Sequence, residues 1–508
     1  MIPRSAALLL ACLLALPASR AGAQEPPADD GLPADSASLR ELAEETQARF
    51  ESYRESRIPP AMQGIRQPGC DERVGRFCLR HQGDEAPIPP EPIEVGLARN
   101  EVLATLGRIG DRIPGDAWVL GHRVFYLAEQ GSWRVAEALV RACDGPPEWW
   151  CGALLGWVHH HTGRIVEAEA VFRSAIAGMP PEVAAEYRSP EYLLDSDGRE
   201  LLGDAEDPRR DALWERLWLL SDPLYLEEGN DRLTAHWARR TLVRIRRDSF
   251  TPYGIPFDAD LAELNVRYGG ERGWERVMTP GGFGGGLRDT RRVIGRHHPD
   301  AREYLPVGSF LEDPAEIPPG AWTLDEWEPR TGYAAPYAVE MEPLRAQVAR
   351  FRRGDSLLVV ASYRPGESRP EPSRLAGRPV PRERERARNP FLPPPGDGAG
   401  GGGVDGRGED IDGRGNDDSG PRGPVESGLF LLEWDGTPVH VERADVARDV
   451  VTARVPNGEY VFGLEVREVD APRAWRTRQG LRQDSLALGQ AAVSDLLFLR
   501  REGEPPGS

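Results

Sequence analysis

Apolar residues recur at helical spacing through roughly the first 300 residues of this chain and at strand spacing after them. Over 36–57, Leu39, Leu42, Ala43 and Phe50 fall near one helical face, and Pro59-Pro60 ends the run. Val95, Val102, Leu103 and Leu106 predict a second helix over 93–109. Two more are predicted over 209–220, where Trp214 and Trp218 stand one turn apart, and over 232–247. Asp222-Pro223 and Gly229-Asn230 punctuate them.

The later pattern is alternating. Residues 347–351 and 356–363 flank an Arg353-Gly354-Asp355 turn, and 429–434 and 439–441 flank Asp435-Gly436, which predicts two hairpins. Val451, Ala453 and Val455 alternate with polar positions. Pro456-Asn457-Gly458 then turns into Tyr460, Phe462, Leu464 and Val466, all on one strand face. Short strands with turn chemistry between them predict a β-sandwich-like domain over 301–363 and 425–508. Residues 364–424, rich in Pro, Gly, Arg and Asp, cannot bury enough apolar surface to order themselves and read as a disordered insertion. The fold class is multidomain α plus β.

The segment 150–180 carries a finer signature. Leu155-Gly156 sits in a first helix, Gly163 marks a turn, Ala168, Phe172 and Ala175 follow at packing positions, and Pro180 closes the unit. Gly131 and Ala136 precede Gly163 and Ala168 by the same 32 residues, so 118–143 reads as a degenerate copy. It departs at Val124, where a small residue is preferred, and at Cys143, which replaces a packing Ala. The pattern resembles the tetratricopeptide family, whose helical hairpins stack and present the first helix of each pair to a concave face. That resemblance places Trp118, Phe125, Glu129, Trp150, Trp157, His160 and His161 on a partner-binding face. It implies a helical repeat domain over 93–300, with hairpins at 118–143 and 150–180, that binds a protein or peptide. Two hairpins fall short of the roughly three that a free-standing solenoid needs, so flanking helices must cap them. The helix at 93–109, or the β domain, is the alternative occupant of the groove, and would make these aromatics core residues.

Asp222-Pro223, Asn230, Arg239-Arg240 and Arg267-Tyr268-Gly269, followed by Trp274 and by the late Val493-Ser494-Asp495-Leu496-Leu497, resemble the GWxTD-domain family of secreted bacterial proteins. The motif that names the family is absent, because Gly273-Trp274 is followed by Glu275-Arg276. The resemblance implies export and architecture and transfers no catalytic residue.

The N-terminus gives an address. Arg4, the apolar run from Ala6 to Leu16, Pro17 and Ala21-Gly22-Ala23 have the order of a signal peptide over 1–23, which predicts an exported protein. Leu9-Leu10-Ala11-Cys12 loosely matches a lipoprotein box, so a lipid anchor through Cys12 is the alternative. No later run is long and apolar enough to span a bilayer. Residues 24–92 hold the first helix and a Cys-bearing loop. The net charge of −19 argues against a nucleic-acid partner, which needs a basic footprint. All 63 basic residues are Arg, so Schiff-base and phosphate-loop lysine chemistry is excluded. Beyond Cys12, four cysteines remain, and short loops favour disulfides Cys70–Cys78 and Cys143–Cys151. Crossed pairing and a zinc site are the alternatives, though the spacing is not that of zinc modules.

Candidate chemistry is sparse. His159-His160-His161 cannot converge on one point from a helix, because neighbours diverge by about 100°. His297-His298-Pro299-Asp300 reads as a solvated loop, 281–286 as a glycine loop without a following Lys, and 405–418 as an acidic run lacking EF-hand order. Arg353-Gly354-Asp355-Ser356 reads as a hairpin turn rather than an integrin-type tetrapeptide. There is no H-E-x-x-H and no G-x-S-x-G, and paired carboxylates cannot be picked out of 82 acidic residues. The sequence therefore predicts an exported, non-enzymatic interaction or scaffold protein with no cofactor and no metal. The alternative is a cell-envelope carbohydrate-binding protein or hydrolase with a site between the helical and β domains.

Overall fold

The computed structural model describes residues 32–60, 72–79, 88–280, 287–296, 301–322, 330–365, 421–448, 450–483 and 495. The signal segment 1–23, Cys12, Cys70, the glycine loop 281–286, His297 to Asp300, the acidic run 405–418, nearly all of the 364–424 insertion, and 493–497 apart from Asp495 lie outside the described residues.

The helices run α1 (Ser36–Ser56), α2 (Ile93–Arg112), α3 (Ala117–Glu129), α4 (Trp133–Arg141), α5 (Glu148–His161), α6 (Ile165–Ala177), α7 (Pro181–Arg188), α8 (Ser196–Asp204), α9 (Asp207–Ser221), α10 (Asp231–Arg246) and α11 (Ala259–Tyr268). Asp35 and Asp116 cap α1 and α3, their Oδ1 atoms accepting from Ser38 N at 2.8 Å and Val119 N at 2.9 Å. From α1 to α6 each helix packs on the next.

The 32-residue internal repeat has matching geometry. Gly131 and Gly163 both turn the chain at φ +75°, a conformation that favours glycine, and Ala136 and Ala168 are both fully buried. Gly156 lies under the Phe172 ring, where a Cβ would meet ring atoms at 2.9 Å. In the first copy Val124 and Val140 occupy the equivalent positions, so a larger residue on one helix is matched by a smaller one on the other. The Cys143–Cys151 disulfide ties the end of α4 to the first turns of α5 across 6.0 Å between Cα atoms. Cys78 is also disulfide-bonded, to a residue outside the described ones.

Helix α10 runs through the middle of this array, packing on α3, α5, α6, α7, α9 and α11. Most of its residues are buried, among them Leu233, Trp237, Leu242 and Ile245 and also Arg232, Thr234, His236, Thr241 and Arg246.

Two hairpins sit where the sequence predicts loop or helix: β1 (Glu72–Val74) with β2 (Phe77–Leu79), and β3 (Gly273–Pro280) with β4 (Leu287–Arg296). The β-branched Val277, Thr279, Val293 and Ile294 suit the second pair to a strand. A short helix α12 (Gly308–Glu312) then packs on α8 and α9.

The remaining strands are β5 (Glu340–Pro343), β6 (Arg345–Arg353), β7 (Ser356–Arg364), β8 (Val425–Leu432), β9 (Pro438–Ala444), β10 (Val450–Pro456), β11 (Glu459–Glu468) and β12 (Arg473–Arg482). They form a five-stranded sheet, order β5-β12-β11-β8-β9, and a three-stranded sheet, order β10-β7-β6. All pairs are antiparallel except β5 with β12. Gly354 and Gly436 turn the two predicted hairpins at φ +65° and +89°. The Pro456-Asn457-Gly458 turn leads from the small sheet into the large one.

One apolar core joins the sheets: Leu357, Val359 and Ala361 of β7 and Val451, Ala453 and Val455 of β10 meet Leu429, Leu431, Tyr460, Phe462, Leu464 and Trp475. The opposite face of the larger sheet is buried too. Phe430, Leu432 and Val461 join the helical core beside Tyr225 and Leu220. The helical and sheet parts thus share a core instead of hanging from a linker.

Candidate functional site

The residues expected on one partner-binding face separate into groups. Trp118 packs on His122, tilted by 32° with 3.7 Å between ring centroids, and Arg40 lies over its ring. Phe125 packs on Tyr126. Glu129 is ion-paired to Arg54 at 3.0 Å and Arg99 at 3.2 Å. These three face the α1–α2 side. Trp150 and Trp157 are 3% and 4% exposed. The Trp150 indole donates to Ala117 O at 2.9 Å, and Trp157 packs on Trp133 and His161. Helix α10 covers the remainder: Ile245 reaches Gly121, and Phe172 packs on Trp237.

The three consecutive histidines diverge. His159 is buried beside Arg141 and Glu137. His160 bonds Thr234 Oγ1 at 3.0 Å, and His161 Nδ1 donates to Trp157 O at 2.9 Å. Among the described residues no three His, Cys, Asp or Glu side chains gather as metal ligands.

His160 and His161 instead open onto a cleft of about 810 Å³ between the helical and sheet parts. Its walls are the α5–α6 turn, the loop before α10, the segment 333–339, and β8 and β9 near Glu426, Ser427 and Arg443. The loop is shaped by its own sequence. Gly229 turns at φ +81° against Ile165, where a Cβ would come within 3.1 Å. Asn230 caps α10 by accepting from Leu233 N at 2.8 Å, and anchors itself by donating to Trp218 O at 2.7 Å.

That cap delivers Asp231, the first residue of α10, to the cleft. Asp231 is 2% exposed. Its Oδ2 accepts the hydroxyl protons of both Tyr333 and Tyr337, each at 2.8 Å. Its Oδ1 is buried with no hydrogen-bond partner among the described residues. Burial raises its carboxyl to about 6, against the two tyrosine hydrogen bonds that favour the anion. Nearby Asp222 is also held well above the ordinary carboxyl range, first by burial and then by the charge of Asp231. Tyr333 is fixed by backbone bonds to Arg302, and Thr331 before it by two bonds to Glu303, at 2.7 and 2.8 Å.

The cleft is rich in acceptors. Thr234 donates its single hydroxyl proton to Asp231 O at 3.1 Å, so His160 Nδ1 must be the donor in the Thr234–His160 bond. Both His160 and His161 therefore carry their lone pair on Nε2. Burial, and after it the proximity of His161 and of the Arg239 and Arg232 guanidiniums, hold His160 well below the usual imidazole range, which keeps it neutral. The rim carries Glu167, Glu227, Glu228, Glu426 and Asp445 against Arg164 and Arg443. Both arginines are engaged: Arg164 pairs with Glu137 at 2.8 Å, and Arg443 donates to Tyr225 O at 3.1 Å.

Behind the cleft the two parts are stitched by buried charge. Glu465, 0% exposed on β11, pairs with Arg478 of β12 at 2.7 Å and accepts from Leu226 N at 3.0 Å. Arg478 and Arg476 donate to the carbonyls of Asp222 and Pro223. The sequence marks 222–223 and 229–230 as punctuation and, through Asp222-Pro223 and Asn230, as part of a family resemblance. Asp231, Tyr333, Tyr337 and Glu465 went unnoticed, and the signal that flags Asp231 is its position just after a Gly-Asn cap.

No protein-family description, curated protein or solved structure matches this chain.

Proposed function

We propose that this is an exported, non-enzymatic interaction protein of the cell envelope that docks its partner in the cleft between the helical and sheet parts. In this reading the tetratricopeptide-like hairpins and the β-sandwich-like pair of sheets are the frame, and α10 occupies the groove that such hairpins otherwise offer. The observation that carries the reading is Asp231 Oδ1, an unpartnered carboxylate oxygen on a residue 2% exposed in the wall of an open cleft. Unmet hydrogen-bonding capacity of this kind costs stability unless something bound or solvent meets it. Site-specific photo-crosslinking tests it. A crosslinker at Val339 in the cleft is expected to give a defined adduct in envelope extracts, and one at exposed Val135 on α4 is not. Equal labelling at both positions, or none at Val339, contradicts the reading.

One observation favours a second reading. Asp231 and Asp222 are buried carboxyls with raised proton affinity, the property of a general acid. A carbohydrate hydrolase at the same cleft follows from that. It predicts glycan turnover that is abolished in Asp231→Asn, and an absence of turnover on envelope glycans rules it out.

A further inference from the structure

We propose that Asp231, Tyr333 and Tyr337 form a receptor for a primary ammonium, the side chain of a lysine on a partner protein; this rests on the reading of the cleft as the docking site. Each tyrosine has one hydroxyl proton, and both are spent on Asp231 Oδ2. The trio therefore holds two phenolic lone pairs and the unpartnered, solvent-shielded Oδ1, three acceptors gathered around one carboxylate. An ammonium carries three donors and no acceptor, which matches that set. A guanidinium spreads its donors over a planar fork and suits two parallel acceptors better than three around a point.

The surroundings agree in sign. His160 and His161 line the same cleft, and Glu167, Glu228 and Asp445 stand on its rim. Of the buried cations nearby, Arg239 donates to the carbonyls of Val266, Arg267 and Gly332, and Arg478 to Glu465 and Asp222, while Arg232 lies over the Tyr333 ring at 5.9 Å and bonds Thr331 Oγ1 at 3.5 Å. Tyrosine rings add the attraction of their faces for a cation. This chain contains no lysine, so a lysine side chain must come from another protein.

The test uses the end-blocked tripeptide Ala-Lys-Ala, with norleucine and arginine counterparts, titrated into the full-length protein and read by ligand line broadening. The lysine peptide is expected to bind and the norleucine peptide to give no measurable binding. Tyr337→Phe, a half-buried position that keeps its ring, is expected to weaken the lysine peptide by about tenfold or more, the effect of losing one charge-assisted hydrogen bond. Asp231→Asn is expected to abolish binding; should that variant not fold, Tyr337→Phe alone decides. Equal binding of the lysine and norleucine peptides, tighter binding of the arginine peptide, or no loss in Tyr337→Phe overturns the proposal. If the lysine peptide fails while the Val339 crosslink persists, the ammonium assignment falls and the cleft reading stands. If both fail, both fall.

Discussion

Trp157 shows how a residue suited to binding becomes a packing residue. It is 4% exposed, enclosed by Trp133 and His161. Trp157→Ala should therefore cost about 3–5 kcal/mol in denaturant unfolding, the range for truncating a buried aromatic. A change under about 1 kcal/mol would return Trp157 to the list of surface anchors. Glu51 makes a second case. It is buried on α1, accepts the Tyr126 hydroxyl at 2.7 Å, and neighbours Arg54, Glu129 and Arg246. Burial raises its carboxyl from 4.5 to about 7, with Arg54 pulling the other way. The folded protein thus holds this proton more tightly than the unfolded chain does. The stability it contributes is full below about pH 4.5 and is lost as pH rises through about 7. Relative to Glu51→Gln, the natural protein should lose on the order of 3 kcal/mol across that window. Parallel pH–stability curves for the two proteins would contradict the assignment.

At the scale of elements, the hairpins were legible because their signal is local. Gly131, Gly163, Ala136 and Ala168 repeat at one spacing, and the turn and packing roles follow from residues within a single hairpin. The Cys143–Cys151 bridge belongs to the same local logic. Replacing both cysteines with serine should lower unfolding free energy by about 2–3 kcal/mol, the loop-closure value for so short a loop. A loss near zero would mean that α4 and α5 hold their ends without it. Helix α10 was legible as a helix and not as the centre of the molecule. Its sequence is crowded with arginines, and apolar periodicity cannot reveal that Arg240 donates to Ser189 O, Arg246 to Glu271 and His236 to Tyr187 O. Strand β12 was missed for the same reason. Arg476 and Arg478 look like surface residues until the carbonyls of 222–223 are beside them.

For the molecule as a whole, the consequence is that the helical and sheet parts meet in a shared core. The larger sheet buries one face on its partner sheet and the other on the helices, and Tyr304, Tyr333, Ala335 and Ala338 pack around Leu224 and Ala235. The candidate site is built at that join from residues as far apart as Asp231 and Tyr337. No motif spans such a distance, so periodicity could outline the two halves and not what they make together. The central claim is that binding occurs at the join and not on the helical face. Hydrogen exchange of the full-length protein, with and without the blocked Ala-Lys-Ala peptide, tests it most directly. Protection is expected in 226–234 and 333–339, with α3 and the start of α5 unchanged. Protection confined to α3 and the start of α5, with the cleft segments exchanging as before, would contradict the account.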